Sequence, residues 1–223
     1  MQQLLAGYAM FRSEVFARHS RHFAELENCE EPKALFITCS DSRVMPEMIT
    51  QCAPGEILCC RNTGNLVPPP EETAGAVAAT VEYAVRALRV PDIVVCGHSD
   101  CGAMRALLDE GRLNDMPLMR AWLEHAGPMA HAFRGVMQDP RVWPEEERLR
   151  VLTELNVIAQ LRSLSAHPAV ARAIRRGSLQ IHGWVYEIPT GEVHCLDPAT
   201  GSFRPLLANS PEMATTFEEE MVA

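Results

Sequence analysis

The sequence predicts an α/β fold with a mostly parallel β-sheet flanked by helices. Three observations carry this. Short apolar runs alternate with stretches of helical periodicity along the chain, and strands separated by helices pair in parallel. Two of the runs, ALFIT (34–38) and DIVV (92–95), are continuously apolar, the pattern of strands buried on both faces. The chain has 223 residues, 47% of them hydrophobic, enough for one sizeable core and one domain spanning 1–223.

The elements follow in order. Residues 1–27 place Leu4, Leu5, Tyr8, Phe11, Phe16 and Phe23 at helical spacing, which predicts one or two amphipathic helices in an arm of residues 1–30. ALFIT is the first strand and GEILCCRNTGN (55–65) holds the second. TAGAVAATVEYAVRALR (73–89) is a long helix with Thr73 as its N-cap, and DIVVCG (92–97) is the third strand, entered through Pro91. Helical periodicity returns over 118–137 and 145–166, and PAVARAIRRG closes another helix at Gly177. LQIHGWVYEI and EVHCLD flank PTG and predict a hairpin, after which 209–223 is a polar tail.

Composition narrows the partners. The chain carries 20 basic and 29 acidic residues, a net charge of −9, which argues against nucleic acid or an anionic membrane as a partner. No run has the length of a transmembrane helix, and the N-terminus lacks the pattern of a signal peptide. A cytoplasmic protein is expected. There, eight cysteines point to metal binding or plain burial rather than disulfides.

Ligands of parallel sheets gather at the carboxyl ends of the strands, where strand order reverses. Cys39 directly follows ALFIT, His98 directly follows DIVVCG, and Cys101 opens the next helix. Together they form a Cys₂His set, one of those found in catalytic zinc sites with an open fourth position, and thiolates favour zinc. In CSDSR (39–43), Asp41 is placed to serve as a fourth ligand or to accept from a metal-bound water, with Arg43 holding the carboxylate. Two thiolates cancel the charge of zinc, so the centre acidifies its water less than three imidazoles would. Asp41 on the metal would close the site. The remaining cysteines read as small buried side chains or are uninformative; Cys59 and Cys60, adjacent in a strand, must face opposite ways.

With CSDSR, RNTGN, EYA and CGHSDCG in this order and spacing, the chain resembles the β-class carbonic anhydrases, most closely the bacterial cyanase-associated and cyanobacterial members. The resemblance implies an enzyme that interconverts carbon dioxide and bicarbonate in a bacterial cytoplasm, free or within a microcompartment. It implies an antiparallel edge strand, an N-terminal helical arm that wraps a partner, and a homodimer or assembly of dimers with active sites at the interface. Carried over by position, Cys39, His98 and Cys101 match the zinc ligands, Asp41 and Arg43 the catalytic dyad, and Gly102 the residue whose amide meets the substrate. Tyr83 matches a pocket residue supplied by the neighbouring subunit.

Two pocket positions depart from the plant-type pattern. Glu30 stands nine residues before Cys39, where a glutamine amide is usual, and Leu58 stands where phenylalanine is usual. Both changes imply a reduced rate and leave open a carbon dioxide analogue, carbonyl sulfide or carbon disulfide, as substrate of a hydrolase on the same fold. A non-catalytic zinc-containing assembly partner is the reading from a different class. One subgroup is switched off by bicarbonate through a tryptophan three residues before the first zinc cysteine; Phe36 stands there.

Overall fold

A computed structural model describes residues 1–70, 75–126, 129, 133 and 142–206. Six strands form one sheet: β1 (Ala34–Cys39), β2 (Ile57–Asn62), β3 (Asp92–His98), β4 (Gln180–Tyr186), β5 (Val193–Asp197) and β6 (Ser202–Pro205). Their spatial order is β2-β1-β3-β4-β5-β6. The first four are mutually parallel, and β5 and β6 add antiparallel pairings. The hairpin read from LQIHGWVYEI and EVHCLD is β4–β5. The antiparallel edge is one strand wider than expected, because SFRP pairs with β5.

The apolar runs behave as their composition dictates. Leu35 through Cys39 of β1 and Ile93 through His98 of β3 are buried, as strands in the middle of a covered parallel sheet must be. Leu35, Ile37, Ile93 and Val95 point into a cluster with Val77 and Val81 of helix α4 (Ala76–Tyr83), Val157 and Leu164 of α7 (Glu145–Ala166) and Val170 of α8 (Pro168–Arg175). Phe36, Val94 and Cys96 point the other way and meet Cys59, Trp184 and Tyr186. As the alternation requires, Cys59 and Cys60 fall on opposite faces. The 22-residue α7 seats tightly on β3. A Cβ at Gly97 would come within 2.9 Å of Val157 and 3.0 Å of Thr153, so only glycine allows this approach one residue before His98.

The N-terminal arm is helical throughout, as α1 (Gln2–Met10), a π-helical stretch Phe11–Phe16 and α2 (Ala17–Leu26). Phe11, Phe16 and Phe23 cluster, yet Leu4, Leu5, Tyr8, Met10 and Val15 remain exposed. After β1 comes the short α3 (Pro46–Thr50), with proline in its first turn. The helix expected over 73–89 runs from Ala76 through a π-helical end, Ala84–Leu88, and stops at Arg89 in the left-handed conformation. Thr73, its expected N-cap, lies outside the described residues, as do most of 127–141 and the tail 209–223. Helices α5 (Gly102–Leu108) and α6 (Pro117–Leu123) follow β3. No described helix is long and apolar enough to cross a membrane.

Candidate metal centre

The topology sets the site. β1 lies between β2 and β3, so the chain leaves β1 in one direction after Cys39 and returns on its other side to β3, which ends at His98. This is the switch point at which parallel sheets open a crevice. A tight turn through Asp100, at φ 56°, brings Cys101 back as the N-cap of α5. The ligand atoms of Cys39, His98 and Cys101 all lie within 4.8 Å of one another, and the two sulfurs are 4.0 Å apart. All three residues are buried.

The donor set fits a soft divalent metal. His98 Nδ1 lies 2.8 Å from the carbonyl of Ser99, so Nδ1 carries the proton and donates, leaving the lone pair on Nε2. Nε2 is buried with no hydrogen-bond partner, a costly arrangement unless something binds there. The Cys39 thiol is brought down to about 4, first by the hydrogen bond from Cys101 and then by His98 and the amides of Gly64 and Asp41, against the opposing effect of burial. Cys101 moves well up as the proton-holding member of the pair, through its bond to Cys39 and its burial. The two sulfurs meet in an apolar setting that includes Leu66, Met104 and Leu107. A dication held there would displace the thiol protons and neutralise the thiolates it forms.

The loop after β2 clamps this sulfur. The Gly64 amide donates to Cys39 Sγ at 3.4 Å. Gly64 adopts φ +80°, and a Cβ there would stand 3.0 Å from that of Ala103, so glycine is required on both counts. Its carbonyl accepts from Asn156 Nδ2 at 2.9 Å, Asn156 Oδ1 accepts from Gln160, and Gln160 Oε1 accepts from the Val67 amide. RNTGN is conspicuous in the sequence, but this supporting role for Gly64 is not visible there.

Asp41 stands at the rim, its Oδ2 3.9 Å from His98 Nε2. Arg43 grips it with a two-point fork, Nε to Oδ1 at 3.0 Å and Nη2 to Oδ2 at 2.8 Å, and adds its backbone amide at 2.9 Å. These bonds hold the Asp41 carboxyl well below the usual carboxylate range, led by the Arg43 side chain. Arg43 Nη1 in turn donates to Asp100, Asp100 accepts from Arg105, and Arg105 pairs with Glu145 of α7. Arg61 donates to the carbonyls of Asp41 and Cys39. Arg61, Asp100, Arg105 and Glu145 have no assigned role in the sequence reading, since their partners are distant in the chain.

Residues 34–193 match the family model described as carbonic anhydrase. The chain belongs to the carbonic anhydrase family. A carbonic anhydrase of Pseudomonas aeruginosa is 46% identical over 213 residues, covering 96% of this chain and 94% of the relative. Among solved structures, the β-carbonic anhydrase CcaA superposes with a TM-score of 0.88 at 37% identity, covering 94% of this chain and 93% of that one. One of two tetrameric β-carbonic anhydrases from Sordaria macrospora does so with a TM-score of 0.77 at 28% identity, covering 91% and 98%. The class is therefore β, and the enzyme class is that of a carbonate dehydratase.

The remaining positions of interest in this β-carbonic anhydrase separate into two groups. Gly102 opens α5 beside Cys101, and a Cβ on it would meet nothing within 4 Å, so open space faces the start of the helix next to the donor set. Tyr83 and Glu30 lie on the surface together instead. The Tyr83 hydroxyl donates to Glu30 Oε2 at 2.9 Å, which raises the Tyr83 pKa. No described hydrogen bond or ion pair links either of them to Asp41 or the Cys–His–Cys set of the same chain. Leu58 sits in β2 opposite Leu35, whereas Asn62 is level with Cys39. Four residues along a strand is about 13 Å, and Leu58 packs on the apolar cluster with Leu35 and Val77.

Proposed function

We propose that the chain catalyses zinc-dependent interconversion of carbon dioxide and bicarbonate, with Cys39, His98 and Cys101 holding the metal. The observation that carries this is the buried Nε2 lone pair of His98, converging with two sulfurs beside an arginine-clamped carboxylate. Zinc in an open Cys₂His site supplies a Lewis acid and lowers the pKa of a bound water. The chain's own groups do the rest. Asp41, kept ionised by Arg43, accepts a hydrogen bond and orients the attacking water. The Gly102 amide donates to the oxygen that gains charge, and the open space at the start of α5 admits a small substrate.

Stopped-flow hydration of carbon dioxide tests this. Asp41 is ionised far below neutrality, so its titration cannot shape the profile. Activity is expected to rise from about pH 6 to about 9, since a thiolate-ligated zinc should hold its water at or above the pKa of roughly 7 that zinc with neutral ligands gives. A flat profile, or none above the buffer rate, contradicts the reading.

The second part of the proposal is a homodimer or an assembly of dimers whose pockets receive Tyr83 and Glu30 from a neighbouring copy. The exposed apolar side chains of the arm support it, as does the tetrameric relative. Deleting residues 1–27 should cause dissociation or aggregation in light scattering; a soluble, active monomer would overturn the claim. Glu30 accepts a hydrogen bond from the Tyr83 hydroxyl, and a carboxylate has no proton to give a substrate oxygen. A glutamine would still accept from Tyr83 and would add a donor. Glu30→Gln is expected to raise kcat/KM severalfold, most clearly at alkaline pH, and identical kinetics for the two proteins would show that Glu30 stands outside the pocket.

A further inference from the structure

A cleft of about 400 Å³ lies between the end of α4 and α8, and it shares no residue with the metal centre. Its walls are two helical faces. Glu82, Val85, Arg86 and Arg89 come from α4 and its π-helical continuation; Pro168, Ala169, Arg172, Ala173 and Arg176 come from α8 and its end. Four arginines thus face one cleft with a single glutamate among them, and Glu82 is already paired with Arg86 at 2.8 Å. Arg89, Arg172 and Arg176 have no ion pair or side-chain hydrogen bond among the described residues.

In a chain of net charge −9, acidic partners are abundant, so three guanidiniums lining one hollow with no ion pair among the described residues stand out. Helix C-termini favour nearby cations, which explains one arginine at each helix end. It does not explain why two neighbouring helices both line one cleft with arginines, where like charges repel. An anion between them removes that repulsion, and guanidinium forks suit phosphate oxygens. The rest of the lining is largely apolar: Val85, Val90, Pro168, Ala169 and Ala173. The volume is in the range of small-molecule sites, roughly 300–1,000 Å³, and exceeds the need of a lone inorganic ion.

We propose that this cleft binds a small organic molecule bearing a phosphate or diphosphate group, the anion on Arg89, Arg172 and Arg176 and the organic part on the apolar lining. The site goes beyond the hydration reaction and does not depend on it. ADP is the probe, titrated calorimetrically into the zinc-loaded protein at about 0.15 M salt, where long-range attraction is screened within roughly 8 Å. One ADP per chain is expected, with weaker binding as salt rises and no heat from adenosine. Arg89→Ala combined with Arg172→Ala should weaken ADP binding at least tenfold while hydration and thermal unfolding stay unchanged. Both arginines are exposed, so the variant keeps its core. Undiminished binding in the double variant would place the anion elsewhere and overturn the proposal. So would no binding to the parent protein, equal binding of adenosine, or a change of assembly size in the variant with no change in ADP affinity.

Discussion

Replacing His98 by alanine should give a protein that purifies without stoichiometric zinc and has lost its hydration activity. The loss is expected to exceed the ten- to hundredfold, roughly, that removal of a group supporting a metal ligand costs. Ser99 fixes the imidazole tautomer, and Nε2 is buried without a hydrogen-bond partner among the described residues, so the ring has one lone pair and one evident use for it. His98 is fully buried, and alanine leaves a cavity there. Cys101→Ala, a smaller change at the same site, guards against mistaking a folding defect for a lost ligand. Elemental analysis and the melting curve should be read together. A full complement of zinc in both folded variants would end the assignment.

The convergence of Cys39, His98 and Cys101 was legible in the sequence for a physical reason. Two continuously apolar runs can only be inner strands, inner strands of an α/β sheet are parallel, and parallel strands end on one edge. Cys39 and His98 had to meet there. What supports them was not legible. The Gly64 carbonyl is held by Asn156, 92 positions away, and Arg43 is held by Asp100, 57 positions away. Nothing local in those residues announces the pairing; it arises when α7 docks on β3 and when the two strand ends converge. The same limit explains β6. SFRP is a four-residue strand ending in proline, with little propensity of its own and a ladder supplied by β5. It also explains Glu30 and Tyr83. Their positions suggest a common pocket, but the hydrogen bond between them, across 53 positions, emerges only from the folded chain.

Arg43→Ala should separate the metal from the chemistry. Its expected outcome is full zinc with hydration reduced by about a hundredfold, the scale on which misplaced catalytic groups act. Arg43 makes two side-chain bonds to Asp41 and is itself anchored by Asp100. Without the fork, the carboxylate is free to turn towards the metal position, since its Oδ2 already lies 3.9 Å from His98 Nε2. Asp41 would then become a fourth ligand and close the site, which a crystal structure of the zinc-loaded variant should show as a carboxylate oxygen of Asp41 in the position a water takes in the parent. The variant should also be more sensitive to acid. The Asp41 carboxyl is lowered in the folded protein, so it contributes stability above the unfolded carboxylate pKa, and that contribution disappears as pH falls through the folded value. Alanine removes the main cause of the lowering, shrinking the contribution and moving the acid-unfolding midpoint to higher pH. Arg43→Lys restores the charge but not the two-point grip, so it should recover acid resistance better than activity. Hydration at the parental rate in the alanine variant, with zinc in place, would show that the clamp on Asp41 has no part in the reaction.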